Sequence, residues 1–361
     1  MKKELVKLRK AIDKLDRNII KLLVERAKIS SAIGQLKTKE NTSIYCPDRE
    51  QYVLRRVSQL VKPPLTSKAV TSIYREIMSS SLALEKPLVI AYLGPAATFT
   101  HQAALKKFGS LVNYQACDSI SSVFVEVEKN NADYGVVPIE NSIEGAVTHT
   151  LDMFIDSDLK ICAQILLEIS HNLLSHFPIG EVERIYSHPM VFGQCRLWLQ
   201  KNLPKAQLIE VSSTTHAAQE AAKQKKSAAI ASTLAAELYQ LPIIAHNIQD
   251  SGHNITRFFV IGKTQPKPTG HDKTSLMFSI KDKVGALYEM LEPFKRFGVN
   301  LSKIESRPSK KKAWDYYFFI DLEGHQNHRY IKKSLEILEG RCKFLKILGS
   351  YPASEDNYEV G

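Results

Sequence analysis

Residues 136–147, VVPIENSIEGAV, begin as an apolar, β-branched run and end on the polar cluster Glu140, Asn141, Ser142. The first half reads as a buried strand that Pro138 stops. Asn141 with Glu144 three residues on reads as a capping pair, and Ala146 to Phe154 as the helix that follows. A strand end feeding a helix N-terminus is where open α/β sheets bind ligands, and its free N–H groups favour anions. The same order of strand, polar cluster and helix recurs at GPAATFTHQAAL with Thr98 and Thr100, at residues 185–189 with Ser187 and His188, at residues 211–218 and at residues 228–239. Asn254-Ile255-Thr256-Arg257-Phe258 adds an amide, a hydroxyl and a guanidinium ahead of an apolar strand. Any one of these clusters also reads as an ordinary set of helix caps.

A second set of candidates is cationic. Leu5, Leu8, Ile12, Leu15, Ile19, Leu22, Ile29, Ile33 and Leu36 recur at alternating steps of three and four, the seam of a long packed helix. Arg26 interrupts that seam. A lone guanidinium there is costly unless an anion meets it, or unless it snorkels to the surface. Lys37 lies about three turns further along nearly the same face, whereas Arg9 lies about 100° around from Arg26. If all three meet one ligand, Arg9 comes from a partner chain. A helix from Glu4 to Lys39 runs about 54 Å, too long for this segment to cover alone, so a helical dimer is expected.

The elements that must position these groups divide the chain into three. Residues 1–86 read as helices, with Pro47 in the first turn of the second and Pro63-Pro64 ending it. Ser81 and Glu85 sit one turn apart on the third. Residues 88–263 alternate strands and helices and read as a parallel, doubly wound α/β unit of two lobes with a cleft. After the linker QPKPTGHDK, residues 274–351 read as βαββαβ, a ferredoxin-like α+β order, with Pro293 expected to kink the first helix. The run Ser309 to Lys312 reads as a hairpin loop, and the tail from Ala353 as frayed.

Composition excludes several classes. At 361 residues the chain is long for one core. No apolar run has the length of a membrane span and no signal segment opens the chain, so a cytoplasmic protein is expected. The five cysteines are scattered without a CxxC pair, which points to reduced thiols and away from zinc. No P-loop or GxGxxG is present. The net charge of +11 suits small polyanions or a solvated basic surface, and no zinc-finger, RRM or basic-zipper pattern supports nucleic-acid binding.

LRKAIDKLD, LLVERAKI, GQLK, PDRE and REIMSSSLALE resemble the helical chorismate mutase family. The resemblance implies an intertwined all-helical dimer that rearranges a dicarboxylate without a covalent step, by holding the reactive conformer and stabilising charge on the breaking ether oxygen. By position, Arg9 of the partner and Arg26 would grip carboxylates and Lys37 would donate to the ether. Cys46, Arg49, Glu50 (at the substrate hydroxyl), Ser81 and Glu85 would complete the site. Glu85 stands where the familiar pattern has Gln.

VVPIENSIEGAV, GPxxTFT, YSHPxxxxQC and NxTRF together resemble prephenate dehydratase. That implies loss of a carboxylate and a ring hydroxyl from prephenate, driven by aromatisation and assisted by a positioned proton donor. Thr256 would be the main hydroxyl and Arg257 would bind a carboxylate. Thr98, Asn141, Ser142, Ser187, His188 and Gln194 would hold substrate polar groups. Ala97 stands where the family usually has Gly; if that position needs φ > 0, Ala carries a steric penalty. Gly285-Ala286-Leu287 and Glu305-Ser306-Arg307-Pro308 resemble the amino-acid-binding ACT domain, which implies a phenylalanine site between paired domains. Tyr288 replaces a small residue there. The combined expectation is a bifunctional enzyme under phenylalanine feedback, a homodimer or higher homo-oligomer, with no metal or organic cofactor, no nucleic acid and no membrane. The alternatives are a non-catalytic amino-acid sensor and an enzyme with one active half.

Overall fold

A computed structural model describes residues 2–40, 42–280, 283–309 and 316–353. The expected hairpin loop at 310–312, the start of the expected strand at Trp314 and the tail from 354 lie outside the described residues. The chain divides into two compact units, Met1–Val89 with Phe108–Asn113, and Ile90–Lys107 with Tyr114–Gly361.

The smaller unit is built on α1 (Lys2–Lys39), α2 (Pro47–Leu60) and α3 (Ser67–Glu85). Pro47 occupies the first turn of α2, where its missing N–H costs nothing, and Thr66 caps α3 by accepting from the Ala69 N–H. Gly34 lets α1 meet α3: a Cβ there would lie 2.8 Å from Glu85 backbone and side-chain atoms. The seam of α1 stays uncovered by the described residues of its own chain. Leu8, Leu15, Leu22 and Ile29 are each 60% or more exposed.

The larger unit begins with β1 (Val89–Leu93), α4 (Phe99–Phe108), β2 (Asn113–Cys117), α5 (Ile120–Glu128), β3 (Tyr134–Asn141), β4 (Gly145–Ala146), α6 (Thr148–Asp156) and β5 (Lys160–Glu168). The chain then crosses to β6 (Asn172–Leu174), β7 (Arg184–Ser187), α7 (Pro189–Gln194), α8 (Arg196–Asn202), β8 (Gln207–Glu210), α9 (Thr214–Lys223), β9 (Ser227–Ala231), α10 (Thr233–Tyr239) and β10 (Ile243–Ala245). It returns to the first sheet as β11 (Ile255–Gly262). Two lobes result. The first sheet has the order β2-β1-β3-β11-β5 with β4 on β3; the second has the order β10-β6-β9-β7-β8.

The sheets are mixed and not the wholly parallel arrangement expected from the strand–helix alternation. β1 runs parallel to β3, and β7 to β8 and β9, but the returning β11 is antiparallel to both β3 and β5, and β6 to β9. A strand that arrives by crossing between lobes enters from the opposite end. Pro138 does not stop β3 either. The pairing shifts register between Arg257 and Phe258, opposite Pro138, and that irregularity accommodates the missing N–H.

The last part folds as β12 (Asp272–Ser279), α11 (Ala286–Arg296), β13 (Leu301–Pro308), β14 (Tyr316–Glu323), α12 (Arg329–Arg341) and β15 (Phe344–Pro352), with sheet order β13-β14-β12-β15. This is the ferredoxin-like order, and Pro293 sits inside α11, buried. Leu276, Phe278, Ile320 and Leu322 face Met290, Phe294, Ile331, Leu335 and Leu338 of the two helices. The opposite face lies on the first lobe. Gly349 crosses so closely that a Cβ would stand 2.3 Å from the Ile161 carbonyl oxygen.

Polar pairs line that contact. Arg257 donates to Asp321 Oδ2 at 2.5 Å, to Gln164 Oε1 at 2.9 Å and to the Tyr351 hydroxyl at 2.9 Å. Lys303 Nζ lies 3.0 Å from Glu140, and Arg307 grips Asp152 through two bonds of 3.1 Å. Removing one partner of a buried pair leaves an uncompensated charge, at a cost of about 3–5 kcal/mol. Asp321→Ala is therefore expected to lower the unfolding free energy of the larger unit, measured by denaturant titration, by an amount in that range. Asp158→Ala, at a fully exposed carboxylate 3.9 Å from Lys346, should stay within about 0.5 kcal/mol; equal effects from the two would refute the assignment.

Candidate active sites

In the smaller unit α1 presents Arg26 and Lys37 to α3, which presents Ser81 and Glu85 one turn apart. Arg26 Nη1 donates to Ser81 Oγ, which itself donates to the Ile77 carbonyl at 2.9 Å. Lys37 Nζ donates to the Ile44 carbonyl at 2.6 Å and to Glu85 Oε2 at 3.3 Å. The Glu85 side chain is only 9% exposed. Two cations against one carboxylate leave a positive excess, which suits a dianion. Arg9 is exposed on the same helix, roughly 25 Å from Arg26 at the helical rise, and cannot reach this cluster within one chain. The remaining expected residues lie at the start of α2. Cys46 occupies its N-cap without a side-chain cap, the Arg49 guanidinium sits 4.9 Å over the Tyr52 ring, and Glu50 accepts from the Tyr45 hydroxyl at 2.8 Å.

The larger unit gathers its polar groups where the two lobes join. Thr256 pairs with Asn141 across β11 and β3, and Asn141 Nδ2 donates to Thr256 Oγ1 at 2.8 Å. Asn141 Oδ1 accepts from the N–H groups of Ile143 (2.9 Å) and Glu144 (3.0 Å). It thus closes a turn between β3 and β4 and does not cap a helix; α6 starts only at Thr148, with no side-chain cap. No helix starts at Asn141, so the anion site expected at a helix N-terminus does not form there; the Ile143 and Glu144 N–H groups are spent on Asn141 itself. The amide contacts continue. Asn141 Nδ2 also donates to Asn254 Oδ1 (2.7 Å), Asn254 Nδ2 to Gln194 Oε1 (3.0 Å), and Gln194 Nε2 to Glu144 Oε1 (3.1 Å). His171 Nε2 stands 2.8 Å from Gln194 Oε1. An open cleft of about 380 Å³ lies alongside, lined by Ile143, Glu144, Met190, Gln194, Gln249 and Asp250 among others.

Several expected residues are spent elsewhere. Ser142 Oγ donates to the His253 carbonyl at 2.8 Å. Thr98 Oγ1 donates to the Leu93 carbonyl at 3.0 Å. Ser187 is fully buried and donates to the Ile230 carbonyl at 2.9 Å. His188 caps α7, accepting from the Met190 N–H at 3.3 Å. Arg257 points to the opposite face of β11 from Thr256, as strand alternation requires, and the carboxylate it holds is Asp321. The expectation that it meets a substrate carboxylate does not fit this geometry. Asn254, Glu144 and His171 were not singled out as site residues. Asn254 stood within NITRF, and His171-Asn172 interrupts an apolar run, the available signal for a buried polar group.

Ala97 adopts φ +64° and is buried against the second lobe's core of Ala218, Ala231 and Ala235. Its strain, about 1 kcal/mol, buys a methyl in the interlobe core, so the position does need φ > 0. Burial pushes the Cys162 and Cys195 thiols up to about 12, which removes them as nucleophiles. In the C-terminal part Gly285 has φ +77° ahead of α11, Ala286 is buried, Leu287 packs at the margin of that domain's core and Tyr288 is exposed. Along β13, Ser306 and Pro308 are exposed while Glu305 and Arg307 are half-buried. Arg307 is committed to Asp152 of the first lobe, so its side chain is not presented to an effector in this geometry.

Comparison with known proteins bears on all three parts. Family models match as Chorismate mutase type II over residues 8–86, Prephenate dehydratase over residues 90–266 and ACT domain over residues 274–339. The chain is 53% identical over 354 residues to a bifunctional chorismate mutase/prephenate dehydratase of Aquifex aeolicus, covering 97% of this chain and 98% of that one. It is 44% identical over 360 residues to the protein of the same name from Pseudomonas aeruginosa, with the same coverage. Among solved structures, the prephenate dehydratase of Arthrobacter aurescens, in complex with L-Phe, is 32% identical with a TM-score of 0.70, covering 76% of this chain and 92% of that one.

Proposed function

The chain belongs to the bifunctional chorismate mutase/prephenate dehydratase family, and from that premise we infer that it converts chorismate to prephenate and prephenate to phenylpyruvate, under phenylalanine feedback through its ACT domain. The observation that carries this reading is that one chain holds two separate constellations, cations on packed helices and a hydroxyl–amide pair on adjacent strands of the first α/β lobe, beside the crossing to the second.

For the mutase, Arg26 and a partner's Arg9 bind the two carboxylates, and Lys37 donates to the ether oxygen as its charge grows. Glu50 meets the substrate hydroxyl, and Cys46, Arg49 and Ser81 complete the enclosure. The exposed seam of α1 supports a second copy as the partner; sedimentation at micromolar concentration should show at least a dimer. Glu85 accepts from Lys37 in the unliganded chain, whereas donation to the ether requires a protonated acid. Glu85→Gln, which has an N–H to donate, should raise mutase kcat above the parent; an unchanged kcat would remove Glu85 from the reaction.

For the dehydratase, the ring carboxylate leaves as carbon dioxide, its bonding pair aromatises the ring, and the ring hydroxyl departs as water after taking up one proton. Thr256 Oγ1 already accepts from Asn141, so its own O–H is directed to an acceptor such as the leaving hydroxyl. Thr is a poor acid, and this bond positions the leaving group more than it protonates it. Thr98, Ser142 and His188 act chiefly by holding the loops around the cleft. The C-terminal motifs Gly285 to Leu287, at the start of α11, and Glu305 to Pro308, on β13, flank the effector site, with Arg307 anchoring β13. The purified chain given chorismate alone should consume it and release phenylpyruvate, with phenylalanine suppressing the second step. Accumulation of prephenate without phenylpyruvate would leave a single-function mutase.

A further inference from the structure

Both connections between the lobes pass through one small region. The chain leaves β5 through Ile169 to His171, and it returns from β10 through Asn254. The crossings are tied together: the Ile169 N–H donates to the Asn254 carbonyl at 2.7 Å, and the Ile248 N–H to the His171 carbonyl at 2.8 Å. His171 is 1% exposed. Its backbone N–H is held by Gln249 Oε1 at 3.0 Å, and its ring packs edge-on against Phe99, centroids 5.5 Å apart.

The hydrogen bonds around it leave one arrangement. Two backbone N–H groups fix Asn141 Oδ1, so its Nδ2 must face Thr256 and Asn254. Asn254 then accepts with Oδ1 and donates with Nδ2 to Gln194. Glu144, as a carboxylate, can only accept, so Gln194 turns its amide nitrogen to it and its oxygen to His171. His171 Nε2 therefore carries the hydrogen. Its Nδ1 is a buried lone pair with no hydrogen-bond partner among the described residues. Burial lowers the ring's pKa below the ordinary histidine value, although the bond to Gln194 opposes this, in keeping with a neutral ring.

We propose that His171 is a positioning residue for the dehydration: from the hinge its Nε2–H holds Gln194 and Asn254 in the orientation that keeps the Asn141 amide donating to Thr256 Oγ1, so that the Thr256 proton faces the substrate. This rests on the reading of Thr256 given above. It makes the hinge part of the catalytic apparatus. A ring that loses its donor frees Gln194 to turn, and Asn254 with it; Asn254 then presents Nδ2 in place of Oδ1 to the Asn141 amide, whose own orientation the two backbone N–H groups hold, and pushes that amide off Thr256 Oγ1.

The test uses the full chain and prephenate. His171→Phe keeps the ring and the contact with Phe99 but has no donor. His171→Gln places an amide N–H near the position of Nε2. Mutase turnover in the same preparations, from the separate helical unit, reports that the chain is intact, and thermal unfolding of the larger unit reports its folding. The expected result for His171→Phe is a fall in dehydratase kcat of about 10- to 100-fold with KM nearly constant, and for His171→Gln recovery of most of that loss. Wild-type kcat in His171→Phe, a rise in KM alone, or equal impairment of both variants would overturn the inference. Thr256→Ala is measured alongside. If it keeps full turnover, the reading of Thr256 fails and takes the inference with it; if it is inactive while His171→Phe is not, only the role of His171 fails.

Discussion

Thr256→Ala should abolish phenylpyruvate formation while leaving chorismate consumption intact, so that prephenate accumulates. The expected loss is about 10²-fold or more in dehydratase kcat, the scale for a lost positioning contact at the reacting group. Thr256 is half-buried on β11 and its oxygen already accepts from Asn141 at 2.8 Å. Removing the hydroxyl deletes the one group in that pair whose proton is uncommitted, and leaves Asn141 Nδ2 with Asn254 alone. The fold should tolerate the change, since the β11 backbone bonds do not involve the side chain. Thr256→Ser keeps the hydroxyl and should retain most of the rate. Chorismate and phenylpyruvate followed in one reaction measure both activities. Loss of both in a folded chain would contradict two separate sites.

Lys37→Ala should do the reverse, with prephenate still consumed and chorismate left untouched. Loss of a charged donor to a developing oxyanion costs about 10²–10³-fold or more in kcat. Lys37 sits 3.3 Å from Glu85 and 2.6 Å from the Ile44 carbonyl, so its ammonium is held before substrate arrives. Without it, Glu85 remains as an unpaired carboxylate where negative charge develops, which adds repulsion to the lost donor. Lys37→Ala/Glu85→Gln should recover part of the rate by removing that repulsion. Dehydratase turnover below half the parental value in Lys37→Ala would show that the two sites are coupled.

Local signals in the sequence carried the elements well. The three-and-four spacing of α1, Pro47 at the start of α2 and the βαββαβ order each rest on rules that act over a few residues, and each appears in the structure. The motif residues Arg26, Lys37, Ser81 and Glu85 were legible too, because on two long helices spacing determines which side chains share a face. The departure at Ala97 from the family's usual Gly also raised the question of a positive φ, which the structure answers with φ +64°.

What it could not decide was which polar group faces which neighbour once distant strands pair. Thr256 and Arg257 are adjacent in the chain, yet alternation across β11 sends one to Asn141 and the other to Asp321, 64 residues away in another domain. Asn141 looked like a helix cap because Glu144 follows at the right interval; the returning strand β11 kept β3 extended and turned the same side chain into the closure of a hairpin. His171 carried only the faint sign of a histidine in an apolar run. Its place at the crossing between lobes exists only after residues 168–172 and 246–254 have come together, because hydrogen-bond direction through Asn141, Asn254 and Gln194 is set by contacts between segments 23, 60 and 113 residues apart.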